Sequence, residues 1–248
     1  MSPTGQLDLP RVIGHRGAMA YAPENTAAGF REAKARGCAW VEFDVRLTRD
    51  GVPVLIHDAA LGRTTDGKGR VAAHDYARLA ELDAGRWFGP NFEGERILTL
   101  ARAVALLGEL GLGANIELKP VRRHQGEMAK AVAAVLAARW PGHLPPPLLS
   151  SFDRKVLAAL DALDAPWPRG YLAKALPLRW RAAARRLGCR SIHLDHRRLK
   201  APQARAVKAA GFALAAYTVN DPARLATLAG WGVDSVFSDA PDRLIAAL

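Results

Sequence analysis

Short apolar runs recur along this chain, and most are separated by an amphipathic stretch long enough to be a helix. That alternation limits the fold more than any composition figure. Strand, helix, strand in repeating order needs crossover connections, and these leave the strands parallel with the helices outside. The spacing predicts strands over 11–14, 40–47, 52–57, 114–118, 148–151, 169–172, 191–194, 213–217 and 235–237. Helices are predicted over 26–36, 100–110, 126–139, 154–163, 178–187, 202–210, 222–229 and 242–248. Gly37, Gly111, Gly188, Gly211 and Gly230 stand where a helix end can use a left-handed residue.

Eight parallel strands result if 52–57 joins 40–47 as an extension or a short pair. A closed eight-stranded parallel (β/α)8 TIM barrel then fits both count and length. An open doubly wound sheet is the runner-up, weakened because no GxGxxG loop follows the first strand. No Ser/Gly/Pro-rich linker divides the chain, so 1–248 is expected to form one domain. The proline run 145–147 reads as a turn before a strand. The segment 58–99 is too rich in turn formers, and too long, for an ordinary connection. It is expected to be a small insertion after the second strand, at the C-terminal mouth, where it could cover a site.

The net charge is +11, with 27 arginines to 8 lysines. The arginines are scattered, which reads as a solvated surface with a compositional bias and not as a nucleic-acid interface. No apolar window is long enough to span a membrane. The opening MSPTGQLDLP has neither the basic nor the apolar region of a secretory leader. Cys38 and Cys189 are far apart and read as reduced, buried thiols, so a cytoplasmic location is expected. No oligomerisation signature is visible.

Strand periodicity sorts the charged residues. In WVEFDVRL, Val41, Phe43 and Val45 share one face, and Glu42 and Asp44 share the other. In ANIELKP, Ile116 and Leu118 face one way while Asn115, Glu117 and Lys119 face the other. With the apolar faces against the helices, three carboxylates point into the barrel mouth. Such a set is costly to desolvate unless a cation joins it. All-oxygen ligands favour one hard divalent ion, Mg²⁺, Ca²⁺ or Mn²⁺. The bland alternative is an internal salt-bridge network with Lys119 and Arg16. His15 and His57 each end a strand at the same mouth, where two imidazoles can share acid and base work near neutral pH. Arg16 and Lys119 are natural anion binders. Metal, cations and imidazoles together suit phosphate-ester chemistry. His74, His124, His143 and His196 read as exposed, and His193 as a core residue facing the interior with Asp195.

These residues sit in an ordered set of motifs: HRG, PENT, EFDVRLTRDG, PVLIHD, RTTDG, NIELKP, SSF, YTVN and WGVDSVFSD. The set strongly resembles the glycerophosphodiester phosphodiesterases, in order and over nearly the whole chain, and looks most like the bacterial cytoplasmic members. The resemblance implies an eight-stranded barrel with a small insertion after the second strand. It implies hydrolysis of small glycerophosphodiesters, such as glycerophosphocholine or glycerophosphoethanolamine, to sn-glycerol 3-phosphate and an alcohol. By that resemblance His15 and His57 match the acid and base pair, Glu42, Asp44 and Glu117 the divalent-metal ligands, and Arg16 and Lys119 the phosphate-contacting cations. His15 is favoured as base and His57 as acid, an order the sequence does not separate. Asn25 or Thr26 can cap the following helix, and Glu24 can orient Arg16.

Two departures stand out. Leu98 occupies a place where the family commonly has proline, and Tyr217 one where some members have tryptophan. Tyr217, Trp87 and Phe88 are candidates for lining the glycerol or alcohol pocket, with core packing the equal alternative. The rival enzyme is a lysophospholipase D-type lipid phosphodiesterase with the same catalytic set and a greasier leaving-group pocket. The rival from another class is a non-catalytic phosphodiester or nucleic-acid binding protein; its sign would be a missing histidine or carboxylate, and none is missing.

Overall fold

The computed structural model describes residues 7–248. The leader reading of the opening segment falls largely on residues 1–6, which lie outside the described residues. The strands are β1 (Val12–His15), β2 (Trp40–Leu47), β3 (Pro53–Leu55), β4 (Gly113–Leu118), β5 (Leu148–Ser151), β6 (Arg169–Ala173), β7 (Cys189–Asp195), β8 (Ala213–Tyr217) and β9 (Ser235–Ser238). The helices are α1 (Ala27–Ala35), α2 (Tyr76–Leu79), α3 (Leu100–Leu110), α4 (Gln125–Arg139), α5 (Arg154–Ala162), α6 (Trp180–Arg186), α7 (Ala201–Ala209), α8 (Pro222–Gly230) and α9 (Pro241–Ile245).

Hydrogen bonding runs in the order β1-β9-β8-β7-β6-β5-β4-β2, and β1 pairs with β2 to close the ring. All pairings in that ring are parallel, giving a (β/α)8 barrel of eight strands. The remaining strand, β3, is the short partner of β2 and runs antiparallel to it, Val45 facing Leu55. The chain turns back there because Thr48–Gly51 forms a tight reversal, with Gly51 at φ 79°.

The strand faces follow the period of two. Val41, Phe43, Val45, Ile116 and Leu118 pack outward with Phe30 of α1 and Val104 and Leu107 of α3. Phe43 meets Phe30 at 5.2 Å between ring centres. Both are fully buried, so truncating either to alanine is expected to cost about 3–5 kcal/mol. Below the candidate catalytic residues Ile13, Trp40, Leu148, Ala213, Ala215 and Phe237 fill the barrel interior, with Phe237 reaching the cavity at the mouth. Gly113 makes this possible: a Cβ there would lie 2.4 Å from the Trp40 ring.

Gly37, Gly111, Gly188 and Gly211 do take left-handed backbone at helix ends. Gly230 does not. It is the last residue of α8, and Gly232 takes the turn instead at φ 89°. Segment 58–99 carries two 3₁₀ turns, α2 and its own small core of Leu61, Val71, Leu79, Leu82, Ala84 and Ile97 against Val54 and Ile56. Leu98 packs against the main core, and its carbonyl accepts from Leu55 N–H at 2.8 Å.

Candidate active site

Register brings the charged residues together. β1 and β2 pair with His15 opposite Glu42, and β2 and β4 pair with Asp44 opposite Glu117. Inward residues directly across a parallel pair are neighbours. Four side chains on three adjacent strands therefore converge at one side of the mouth.

The loop after β1 is folded tightly over this point. A Cβ on Gly14 would lie 2.3 Å from the Gly17 carbonyl oxygen, and one on Gly17 would lie 2.6 Å from the backbone of Gly29 in α1. Both glycines are required by close approach. Arg16 and Asn25 hold left-handed backbone at φ 51° and 59°. For arginine that costs roughly 1–2 kcal/mol. It is held there by its own N–H donating to Glu42 Oε2 at 3.1 Å and by its carbonyl accepting from Asn25 N–H at 3.0 Å. Thr26 caps α1, accepting from Gly29 N–H at 3.1 Å. Asn25 instead braces β2. Its side chain donates to Asp44 Oδ2 and accepts from Asp44 N–H, both at 3.0 Å. Glu24 does orient Arg16, accepting from Nη1 at 2.8 Å, and is gripped from the other side by Arg63 of the insertion at 2.7 Å.

Each histidine is held by a carboxylate on Nδ1. His15 Nδ1 lies 2.6 Å from Asp239 Oδ1, and His57 Nδ1 lies 2.6 Å from Asp58 Oδ1. Asp58 is held in turn by Arg63 Nε at 2.5 Å. A carboxylate on Nδ1 fixes that nitrogen as the donor and leaves Nε2 for other work. His15 Nε2 points back toward Glu42 Oε2 at 3.8 Å.

Glu42, Asp44 and Glu117 present ligand oxygens within 4.8 Å of one another. Arg16 Nε lies 3.2 Å from Asp44 Oδ2, and Lys119 Nζ lies 2.8 Å from Glu117 Oε1 and 3.3 Å from Asp44 Oδ1. Burial pushes the Glu42 carboxyl up to about 8, with the charge of Asp44 adding to it. Glu117 is raised for the same two reasons. Asp44 goes the other way, to about 2: burial opposes its ionisation, but Lys119, Arg16, His57 and Asn25 outweigh it. His15 is raised, burial being outweighed by Asp239 and Glu42. His57 is lowered, chiefly by burial.

The bland salt-bridge network is thus partly present, but it is incomplete. Asp44 Oδ1 is fully buried and accepts no hydrogen bond, although Lys119 is within ion-pair reach. Two buried carboxylates remain above their ordinary range. A hard divalent cation among the three carboxylates would satisfy that oxygen and hold all three groups ionised. The donor set fits the group.

His15, Arg16, Glu42, His57, Glu117 and Lys119 line one cavity of about 290 Å³. Tyr217 lines it too, with its hydroxyl donating to the Ala173 carbonyl at 3.0 Å. Trp87 and Phe88 do not line it. They stack edge-on at 5.6 Å inside the insertion, and Trp87 Nε1 donates to Ala84 O. Their apolar character serves local packing of 58–99. Nor does the insertion cover the cavity: none of its residues lines it, and it reaches the site through Asp58 on His57 and Arg63 on Glu24. Phe152, Leu172, Lys174 and Phe237 line the far wall and carry no sequence expectation. Asp239 carries no sequence expectation either, although alternation from Ser235 and Phe237 continues to it. Among the other histidines, His124 and His143 are exposed, but His74 and His196 are half-buried against Lys68 and Arg224. His193 is fully buried and its Nε2 lies 2.9 Å from Ser191 Oγ.

The pattern of the Glycerophosphoryl diester phosphodiesterase family matches residues 15–243. The chain is 30% identical over 247 residues to a glycerophosphodiester phosphodiesterase of Bacillus subtilis (strain 168), covering 93% of this chain and 83% of that protein. It is 32% identical over 236 residues to a glycerophosphodiester phosphodiesterase of Caldanaerobacter subterraneus, covering 94% and 96%. Among solved structures it resembles an Oleispira antarctica phosphodiesterase in complex with the product sn-glycerol-3-phosphate: TM-score 0.94, 40% identity, 96% of each chain covered.

Proposed function

The chain belongs to the glycerophosphoryl diester phosphodiesterase family and is an enzyme of that class, and from this premise we propose that it hydrolyses small glycerophosphodiesters to sn-glycerol 3-phosphate and an alcohol, with a divalent cation at Glu42, Asp44 and Glu117. The observation that carries the metal-site reading is the buried carboxylate trio with its orphaned Asp44 oxygen. The cation would supply Lewis-acid stabilisation of phosphoryl oxygens. The chain's own residues do the rest.

Arg16 and Lys119 face the cavity and hold the phosphate. The free glycerol hydroxyl beside the phosphate is the nucleophile. Its oxygen attacks phosphorus as His15 Nε2 takes its proton, and the bond to the alcohol oxygen breaks as His57 Nε2 gives that oxygen a proton. Intramolecular attack can lower the barrier by about 7 kcal/mol or more when alignment is good. The resulting cyclic phosphate is opened by water. His57, now neutral, accepts the water proton, and His15 returns its proton to the ring oxygen. Against its burial, Asp239 and Glu42 push His15 up, and burial pushes His57 down, the reverse of what a base and an acid want. A cation held by the ionised Glu42 would offset that carboxylate's pull on His15, which favours His15 as base.

We read the chain as one barrel domain, with 58–99 as an insertion that braces the site through Arg63. The free, buried thiols Cys38 and Cys189 support a cytoplasmic location, and no described helix is long and apolar enough to cross a membrane.

The test is sn-glycerol 3-phosphate release from glycerophosphocholine and glycerophosphoethanolamine with Mg²⁺, Ca²⁺, Mn²⁺ or EDTA. Metal-dependent release is expected. Absence of release with every cation, and release from lysolipids improving with chain length, would replace this reading with a lysophospholipase D.

A further inference from the structure

The far side of the mouth differs from the catalytic side in a way that catalysis does not explain. Large apolar side chains lie exposed on three successive strand-to-helix connections: Val121 after β4, Phe152 after β5 and Leu178 after β6. Leu178 is 97% exposed and Phe152 43%. Single exposed apolar residues are ordinary, but an aliphatic side chain almost wholly in water, beside two others on one rim, is not.

The same connections carry cations. Arg122, Arg123, Arg154, Lys155, Lys174 and Arg179 are all exposed. Among the described residues none of their side chains makes an ion pair or hydrogen bond, as holds also for Arg31, Arg102 and Arg205 elsewhere; this group differs in standing around exposed apolar tips. The nearby carboxylates are engaged. Asp153 accepts from Lys155 N–H and from Gln125, and Glu127 pairs with His124. Arg123 and Arg179 hold left-handed backbone, at φ 75° and 57°, which glycine or asparagine takes more easily. Phe152 joins the catalytic cavity, which it lines together with Lys174, to a groove shared with Arg122, Arg154 and Lys155.

Aliphatic tips ringed by unpaired cations match one kind of partner, an anionic lipid–water interface. The tips enter the headgroup region and the cations meet the negative surface potential. Nucleic acid fits less well: of the three tips only Phe152 has a ring to stack on, and it already packs edge-on with Tyr217. We propose that the rim over β4–β6 docks this enzyme on an anionic bilayer surface, with the cavity mouth turned toward the lipid. Docking needs no turnover, so it stands apart from the reaction proposed above.

The experiment is cosedimentation of the full chain with phosphatidylcholine vesicles, with and without phosphatidylglycerol. Binding is expected only to the anionic vesicles. It should fall steeply as salt rises from about 0.1 M to about 1 M, where the screening length shortens from about 10 Å to about 3 Å. Leu178→Asp and the pair Arg122→Glu with Arg123→Glu should each cut binding about fivefold or more. The change at Leu178 is on the surface, so its melting temperature should match the wild type. Three results would overturn the proposal: no binding to anionic vesicles, binding that Leu178→Asp leaves unchanged, or binding to random duplex DNA in place of vesicles.

Discussion

His15 and His193 are both strand residues pointing at the barrel axis, yet they live in opposite surroundings. His15 ends β1 with Asp239 at 2.6 Å and Glu42 at 3.8 Å, and its pKa is raised. His193 lies mid-strand in β7, fully buried, with Ser191 as its hydrogen-bond partner and Nδ1 unpartnered; burial pushes it down to about 3. The imidazole is the same, so the neighbours decide. The catalytic charges gather at the mouth over β1, β2 and β4. In the β7 interior no charged group acts on His193, whose shift comes from burial alone; the last residue of β7, Asp195, is paired with Arg197. A histidine in the first region can carry protons near neutral pH, and one in the second is a core side chain.

The largest way to break this contrast is His15→Ala. It should lower turnover by about 10²–10⁴-fold, with little change in melting temperature, as read by steady-state kinetics and a thermal melt. Asp44→Asn is expected to come next. It should abolish both the calorimetric binding of a divalent cation and the rise in melting temperature that the cation gives the wild type. Asp239→Asn removes one influence that raises His15, so turnover should fall by about a hundredfold or less. The pH–rate limb belonging to His15 should move to lower pH.

His193 sharpens the comparison through stability. Its folded pKa is depressed from 6.5 to about 3. Below 6.5 the unfolded chain therefore binds a proton that the folded one refuses. This contribution to stability falls as pH drops, by about 1.4 kcal/mol per pH unit. His15, being raised, acts with the opposite sign. Subtracting the pH–stability curve of His193→Gln from that of the wild type isolates the difference, and a flat difference between pH 6 and pH 4 would contradict the burial argument. The smallest effect is expected at Trp87→Ala. Losing its edge contact with Phe88 should cost about 0.5–1.5 kcal/mol beyond the lost area, with KM unchanged.

The charged region was legible in the sequence because its logic is local. A period of two puts Glu42 beside Asp44, and Glu117 beside Lys119, on inward faces. A strand end puts His15 at the mouth; His57 lies two residues past β3, which runs antiparallel to β2 and leads it back beside Asp44. What stayed hidden depends on register and on contacts between distant segments. Asp239 reaches His15 across 224 positions of chain. Arg63 reaches Glu24 because the insertion folds back on the loop after β1. Trp87 and Phe88 read equally as pocket or core, since an aromatic pair in a turn-rich segment carries no periodicity to say which way it faces. Gly230 was misplaced by two residues because α8 runs one residue further than its pattern.

The most direct measurement is sn-glycerol 3-phosphate release by metal-stripped wild type, His15→Ala and His193→Gln, each before and after adding Mg²⁺, Ca²⁺ or Mn²⁺. The account predicts no release without a cation. With one of the three cations, release should return in the wild type and His193→Gln but not in His15→Ala. Full activity in the stripped wild type, or restored activity in His15→Ala, would contradict it.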